Sequence, residues 1–300
     1  MSIEKRSVQF PWKVSLHGGH SGAYCDHAVG TLREVLEAAV TQGFHTYGVS
    51  EHAPRMADHL LYDTERNMGW DVAKIEADFH AYARDIRVVS EEFSDRLTVL
   101  RGFEIEVVPG DRWVRIMQGF RKQYHFDYIV GSVHFIDEVA IDGPPELFEK
   151  AVEGSGGLEN LAVRYYEAVA EMVETMRPEV VGHLDLVRRN APSNESVETP
   201  RIRRAAEAAL EVIREHGGIL DLNTAGYRKG LIHPYPAPWL LGRAHEMGVG
   251  LCFGDDSHGP AQVGAGIEEA REYLLGHGVG QVSVLTREDG AVVKRIVPLT

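Results

Sequence analysis

The sequence contains only two cysteines among its 300 residues, Cys25 and Cys252. Two cysteines so far apart are not a framework of disulfides, and they are typical of a protein in a reducing cytosol. The first twelve residues, MSIEKRSVQFPW, lack the apolar core of a secretory signal peptide. No apolar run approaches the roughly 20 residues that span a bilayer. These absences predict a soluble cytoplasmic protein with no membrane partner.

Basic residues are also fewer than acidic residues. Lys and Arg together number 31 against 45 Asp and Glu, which gives a formal net charge of −14. A surface that binds nucleic acid is usually basic, so this balance argues against a nucleic-acid partner. An anionic small molecule is still compatible, because bound divalent metals can reverse the local field. The composition therefore favours a small-molecule substrate and leaves the oligomeric state open.

Three familiar catalytic and nucleotide-binding motifs are missing from the chain. It has no glycine-rich lysine loop for phosphates, no Gly-x-Ser-x-Gly elbow and no dinucleotide fingerprint after its first predicted strand. Their absence disfavours a covalent mechanism and favours hydrolysis assisted by metal ions.

Predicted strands and helices alternate along the chain. Helix starts are indicated by Thr31 with Glu34, a capping box, and by Thr199 followed by Pro200. Such alternation predicts a parallel sheet covered by helices, either an open doubly wound sheet or a closed barrel. The length suits one α/β barrel, and we expect a single domain over residues 1–300. The predicted strands are 13–17, 45–50, 97–108, 127–134, 179–183, 219–223 and 249–254. The predicted helices after Thr31 and Thr199 are joined by others at 71–93, 112–122, 158–176, 237–247 and 262–275, with a short β tail after them.

Other segments are predicted to be loops near the strand ends. They are a long insertion at 53–70 and candidate mobile loops at 137–145 and 153–157.

Metal-binding residue types follow six of the seven predicted strands. Only a closed or nearly closed barrel brings those strand ends to one point, so the pattern predicts a distorted TIM-like (β/α)7 barrel with its site at the carboxyl rim. Imidazole nitrogen suits Zn, Mn or Fe, and a carboxylate can bridge two ions. We therefore expect two or three divalent ions. The candidate ligands are His17, His20, His27, His52, Glu104, His134, His183, Asp256 and His258.

Several of these residues also have a purely structural interpretation. His27 alone would be a surface or cap histidine, and His134 and His183 could be hydrogen-bonded core residues. Glu104 and Glu106 lie on one face of the third strand, so periodicity does not say which of them binds metal.

In their order and local context, the candidate ligands resemble the motifs of the polymerase-and-histidinol-phosphatase (PHP) superfamily. The resemblance covers roughly residues 14–260 and is strongest to the histidinol-phosphate phosphatase branch, as in Glu51-His52-Ala53-Pro54-Arg55 and Asn223-Thr224-Ala225-Gly226. The first motif departs from the usual His-x-His, because two residues separate His17 from His20. The other matching segments are Ser50-Glu51-His52, Gly102-Phe103-Glu104, Gly131-Ser132-Val133-His134, Gly182-His183-Leu184-Asp185 and Asp256-Ser257-His258.

The resemblance implies a trinuclear metal site in a PHP-type barrel. It selects Glu104 over Glu106 as the bridging ligand and implies catalytic roles for Glu104, Asp256 and His258. Four carboxylates beside the ligands are expected to orient imidazoles or to cap turns: Asp26, Glu51, Asp185 and Asp255. The implied ligand sets are His17, His20, Glu104 and Asp256 for one ion, Glu104, His134 and His183 for a second, and His27, His52 and His258 for a third.

The implied activity is hydrolysis of L-histidinol phosphate to L-histidinol and phosphate in histidine biosynthesis, by attack of a metal-bound hydroxide on phosphorus. Arg55, Arg228 and Asn223 are the predicted substrate contacts, since the planar fork of arginine suits phosphate. Arg188 and Arg189 are weaker candidates.

Three alternatives to this activity stay open. One is a PHP phosphoesterase for another phosphomonoester or a nucleotide. Another is a metal-dependent amidohydrolase, although the strand-end lysine expected of that class is missing. The third is a metal-binding protein without activity, which the complete ligand set disfavours.

Overall fold

The computed structural model describes residues 10–300, so residues 1–9 of the segment predicted to lack a signal peptide lie outside the described residues. The described chain forms a closed barrel of seven parallel strands whose spatial order is their order in the sequence. The first and last strands close it by pairing at Ser15 and Phe253. The predicted (β/α)7 barrel is therefore confirmed. The barrel strands are Val14–Ser15, Thr46–His52, Thr98–Ile105, Val130–Gly131, Val180–Val181, Ile219–Asn223 and Gly250–Gly254.

Helices connect successive barrel strands, as the alternation predicted. The first helix begins after Thr31, whose side chain accepts from the backbone of Glu34 while the Glu34 side chain accepts from Thr31 N. Thr199 caps its own helix by accepting from the backbone N–H of Ile202, without a reciprocal contact. No helix among residues 10–300 is long and apolar enough to cross a membrane. The α-helices of this range are Leu32–Thr41, Asp63–Asn67, Val72–Glu92, Trp113–Tyr124, Pro145–Gly154, Leu158–Met176, Pro200–Glu215, Ala225–Arg228, Pro238–Glu246 and Ile267–Gly276.

The barrel interior is packed around the ring of Tyr128, which is fully buried. A Cβ atom on Gly48 would lie 2.3 Å from the Tyr128 hydroxyl, and one on Gly102 would lie 2.5 Å from its ring. Only glycine fits at these two strand positions, because protein interiors are close-packed. The strands are buried on both faces, as expected for a parallel barrel, which is why they read as continuous apolar runs.

The predicted β tail is an antiparallel hairpin, Gln281–Glu288 with Ala291–Pro298. Thr286 Oγ1 lies 3.1 Å from Oγ1 of Thr46, the first residue of the second strand. Arg287 donates to Asp127, just before the fourth strand, at 2.6 Å. The hairpin thus covers the amino-terminal end of the barrel, and the carboxyl end is left for the site.

The structure differs from the expected loops at three places, the first of which is a short helix, Asp63–Asn67, inside the 53–70 insertion. The stretch 137–145 contains half of a small hairpin, in which Phe135–Ile136 pairs with Val139–Ala140. It then runs into a helix that the sequence analysis missed, Pro145–Gly154. The glycine and prolines of this stretch are typical of a loop, but proline also fits the first position of a helix, where its missing N–H costs nothing.

Candidate metal centre

All nine candidate ligands lie together at the carboxyl ends of the barrel strands. Strand pairing sets His52 directly beside Glu104. The rings of His20 and His258 stack at 4.3 Å between centroids, and those of His27 and His258 at 4.7 Å. The barrel therefore gathers residues that are up to 241 positions apart in the sequence, from His17 to His258.

A two-glycine turn accounts for the unusual spacing of the first motif. Gly18 has φ +137° and Gly19 has φ +80°, both in the region that favours glycine. A Cβ on Gly18 would also lie 2.3 Å from the Asp255 carboxylate. With this turn, Nε2 of His17 lies 3.2 Å from Glu104 Oε1, and Nε2 of His20 lies 3.8 Å from Asp256 Oδ1. Both histidines of the His-x-x-His motif thus face the site.

Glu104 occupies the middle of the cluster and is buried. Its Oε1 lies 3.2 Å from Nε2 of His17, 3.2 Å from Nε2 of His183 and 3.4 Å from Nε2 of His134. Its Oε2 lies 2.9 Å from Nδ1 of His52. Burial alone would raise the pKa of this carboxyl, but the surrounding histidines, His17 foremost, hold the pKa well below its usual range. Glu104 is therefore an ionised carboxylate placed to bridge.

The donor atoms fall into groups whose members all lie within 4.8 Å of one another. These groups match the three ligand sets implied by the resemblance, with Asp256 joining His17 and His20 through neighbouring groups. One group contains a residue that the sequence analysis did not assign, Cys25. The groups are His17, His20 and Glu104; His17, His183 and Asp256; His20, Asp256 and His258; Glu104, His134 and His183; and Cys25, His27, His52 and His258.

The donor spacing fits divalent metal ions. Ligands that bind one ion at about 2.0–2.2 Å with tetrahedral or octahedral angles lie about 2.9–3.6 Å from each other. The distances from Glu104 to the three Nε2 atoms are within this range. Nε2 of His17 and of His20 are buried without a hydrogen bond among the described residues. Buried polar atoms are rarely left without a partner, so an ion explains both features.

In five of the seven ligand histidines, Nδ1 contacts a carboxylate or backbone carbonyl oxygen that is not itself a metal donor. Such a contact places the proton on Nδ1 and turns the Nε2 lone pair toward the site. The contacts to Nδ1 are Asp221 for His17 at 2.7 Å, Glu51 for His20 at 2.9 Å, Asp26 for His27 at 2.8 Å, Glu106 for His134 at 3.1 Å and the Asp256 carbonyl for His258 at 2.9 Å.

Asp221 and Glu106 were not identified from the sequence as partners of ligand histidines. Asp221 lies two residues before Asn223, on the same face of the sixth strand, which carries no histidine ligand. Of the four carboxylates expected to orient imidazoles or cap turns, Asp26 and Glu51 contact rings. The other two act as caps: Asp185 accepts from the backbone N–H of Ala237 at 2.8 Å, and Asp255 from that of Gly264 at 2.8 Å.

Burial and neighbouring charge divide the imidazoles into two groups. Burial, reinforced by nearby His20, lowers the pKa of His52 and of His258. At His134 the carboxylates, Glu106 foremost, outweigh burial and raise the pKa to about 10. A metal ligand must be a neutral imidazole, so protons and cations compete at His134.

Two ligand residues have a left-handed backbone conformation that only glycine adopts freely, His183 at φ +24° and Asp256 at φ +47°. Such positions cost about 1–3 kcal/mol and persist where surrounding contacts hold them. Here His183 N donates to Asp221 Oδ1 at 2.6 Å, and Asp256 N donates to the His17 carbonyl at 2.8 Å.

The three predicted substrate contacts differ in their surroundings. The Arg228 guanidinium donates to the carbonyls of Asp255 and Asp256 at 2.7 and 2.8 Å, beside the ligands. The buried Asn223 amide donates to Asp221 at 3.1 Å and to Asp256 at 3.4 Å. Arg55 is buried, pairs with Glu65 and lies 3.9 Å over the ring of Tyr62. Their substrate roles stay predictions, and Arg228 is the most accessible of the three.

Comparison with known proteins finds relatives along almost the whole chain. The PHP domain matches residues 17–225. A protein named "Probable histidinol-phosphatase" from Schizosaccharomyces pombe is 32% identical over 294 residues, which cover 94% of each chain. The "Histidinol-phosphatase" of Saccharomyces cerevisiae is 27% identical over 293 residues, covering 86% of this chain and 87% of that one.

A solved structure has a similar fold. It is histidinol phosphate phosphatase from Lactococcus lactis, complexed with zinc, L-histidinol and phosphate. The TM-score is 0.71 at 20% sequence identity, and the match covers 94% of this chain and 99% of that chain.

Proposed function

This chain belongs to the PHP domain family, and from that premise we propose that it hydrolyses L-histidinol phosphate to L-histidinol and phosphate with the help of bound metal ions. One observation best supports metal-assisted hydrolysis: the buried Glu104 carboxylate lies within 3.4 Å of four imidazoles. The substrate is supported by the 32% identical relative from Schizosaccharomyces pombe and by the ligands named for the Lactococcus lactis structure.

Divalent ions held by these residues would lower the pKa of a coordinated water and bind phosphoryl oxygens. We propose two or three such ions, zinc, manganese or iron. The chain itself supplies their ligands, with Glu104 shared between two groups and Asp256 and His258 together in a third. These three residues are the proposed catalytic set, because their donor atoms would contact the same ions as the substrate.

Cationic side chains border the ligands on one side and suit the phosphate. Lys229 Nζ lies 3.9 Å from Asp256 Oδ2, and its side chain is 26% exposed. Arg228 is also exposed, and its guanidinium donates to the backbone carbonyl of Asp256. A phosphate monoester could contact both cations while its oxygens reach the metal ions.

An acidic side chain near the ligands suits the other end of the substrate. Asp142 is 17% exposed and lies 3.5 Å from Arg189. Burial would raise its pKa, but His134 and Lys229 hold the pKa below its usual value, so Asp142 is ionised. Histidinol carries an amine and an imidazole, which a nearby carboxylate would favour. The cytoplasmic location, the single domain over 1–300, and the lack of nucleic-acid or membrane partners stay predictions.

The proposal is tested with a panel of phosphate esters. We expect protein stripped of metal by a chelator to lose activity and to regain it on addition of zinc or manganese. The reloaded protein should show a higher kcat/KM for histidinol phosphate than for nucleotides, sugar phosphates or p-nitrophenyl phosphate. A strong preference for another phosphomonoester would reject the substrate but keep the phosphatase. Activity that survives complete metal removal would reject the mechanism.

Replacing Arg228 with alanine tests the phosphate contact. We expect kcat/KM for histidinol phosphate to fall about 10- to 30-fold, equivalent to about 1.5–2 kcal/mol for one charged hydrogen bond. Inhibition by inorganic phosphate should weaken by a similar factor, while the metal content stays unchanged. Arg243→Ala, a surface arginine paired with Glu207 and Glu246, is the control and should leave kcat/KM unchanged. If Arg228→Ala loses metal instead, the residue acts by holding the Asp256 turn and not by binding phosphate.

A further inference from the structure

The group of donors around His258 contains a sulfur atom. Cys25 Sγ lies 3.4 Å from Nδ1 and 3.6 Å from Nε2 of His27. It also lies within 4.8 Å of the donor atoms of His52 and His258. Cys25 is 6% exposed, and it comes from the long turn that follows the first barrel strand. The Cys25 thiol is therefore a buried member of this donor group.

His52 and His258 turn their Nε2 atoms toward each other, and His27 offers a ring nitrogen within 4.8 Å of the donor atoms of both. Nδ1 of His27 is engaged by Asp26, and Nδ1 of His258 is engaged by the Asp256 carbonyl. His52 has its Nδ1 2.9 Å from Glu104 Oε2 and its Nε2 3.4 Å from Nε2 of His258. Three ring nitrogens and one sulfur thus lie close enough together to share an ion.

Two of the distances within this group match those of a tetrahedral zinc site, and all four donors lie within 4.8 Å of one another. Zinc binds nitrogen at about 2.0–2.1 Å and thiolate at about 2.3 Å. At tetrahedral angles those bonds put two nitrogens about 3.4 Å apart and a nitrogen and a sulfur about 3.6 Å apart. The corresponding distances are 3.4 Å between the His52 and His258 nitrogens and 3.6 Å between His27 Nε2 and Cys25 Sγ.

We propose that Cys25 is the fourth ligand of the third metal ion, in a site with three nitrogens and one sulfur that selects zinc over manganese or magnesium. This rests on the metal centre of the proposed function, but not on its substrate. The thiol proton passes to water when the ion binds, because the thiolate is the ligand. Soft thiolate ligands favour zinc, whereas magnesium and manganese prefer oxygen. The groups that share Glu104 contain no sulfur, so this selectivity belongs to the third ion.

Zinc X-ray absorption spectroscopy on the zinc-loaded full chain tests the assignment. We expect a sulfur scatterer at about 2.3 Å, amounting to about one sulfur per three zinc ions if all three sites are filled. The spectrum should keep that scatterer in Cys252→Ser, where Cys25 is the one cysteine left, and lose it in Cys25→Ser. Cys252 is buried in the seventh barrel strand and belongs to none of the donor groups, which makes it the matched control.

The outcomes separate this inference from the proposed substrate. A wild-type spectrum fitted by nitrogen and oxygen alone overturns it, as does loss of the sulfur signal in Cys252→Ser or failure of the protein to take up zinc. If Cys25→Ser does not fold, the wild-type and Cys252→Ser spectra still decide. A sulfur signal in a protein that does not hydrolyse histidinol phosphate would support the ligand and reject the proposed substrate.

Discussion

Replacing Glu104 with glutamine is expected to lower kcat/KM for histidinol phosphate by about 10³-fold or more and to reduce the number of bound metal ions. Glutamine has nearly the shape of glutamate but no charge, and only one of its two terminal atoms can bind a cation. Bound metal contributes several kcal/mol to the transition state, and each 1.36 kcal/mol is a factor of ten. Glu104 faces both of the groups that share it, so the loss should affect two ions together.

Glu106→Gln is the matched control, two residues further along the chain and just past the end of the strand. Glu106 accepts from Nδ1 of His134 at 3.1 Å, and a glutamine oxygen can keep that bond. We expect a loss of about 10-fold or less, with the metal content retained. Metal analysis by mass spectrometry and steady-state kinetics on both variants make the comparison. A larger loss of metal and activity in Glu106→Gln would show that the bridging ligand is Glu106.

The barrel and most of its site could be predicted because their signals are local. Six of the seven strands are apolar runs with a ligand at or just after their carboxyl end, and Thr31 and Thr199 mark helix starts within three residues. The position of a ligand at a strand end depends on the chain next to it, so the His52 and His134 positions can be read from the sequence. Their convergence then follows from closure of the barrel, which brings strand ends together whatever their separation in sequence.

The partners of the ligands could not be predicted, because they are set by contacts between distant strands. Asp221 reaches a ring 204 residues away, and nothing in its own neighbourhood distinguishes it from a buried strand aspartate. Arg55 shows the same limit. Its pairing with Glu65, ten residues later, has no signal in the sequence, and its substrate contact stays a prediction. Such pairings depend on the exact path of loops, which local patterns do not determine.

Replacing Asp221 with asparagine is expected to weaken metal binding and lower kcat by about 10- to 100-fold, the range for removing an outer partner of a ligand. Asp221 Oδ1 accepts from the backbone N–H of His183 at 2.6 Å, and Oδ2 accepts from His17 Nδ1 at 2.7 Å. Asparagine keeps only one acceptor. If its oxygen stays on His183, its NH2 group faces His17 and drives the proton to Nε2, which points at Glu104. If the asparagine amide rotates instead, its NH2 group faces the backbone N–H of His183, and two donors oppose each other.

Asp185→Asn provides the comparison for a buried aspartate at the same end of the barrel. Asp185 accepts from the backbone of Ala237 and pairs with Arg188, but it contacts no ligand ring. Both variants should lower the melting temperature. Only Asp221→Asn should lower the affinity for zinc, measured in competition with a chelator. In the same variant, kcat should fall more than KM rises. The wrong imidazole tautomer acts on the metal and the reacting centre, while a structural loss acts on folding alone. Equal zinc affinities in the two variants would therefore mean that Asp221 stabilises the barrel without orienting His17.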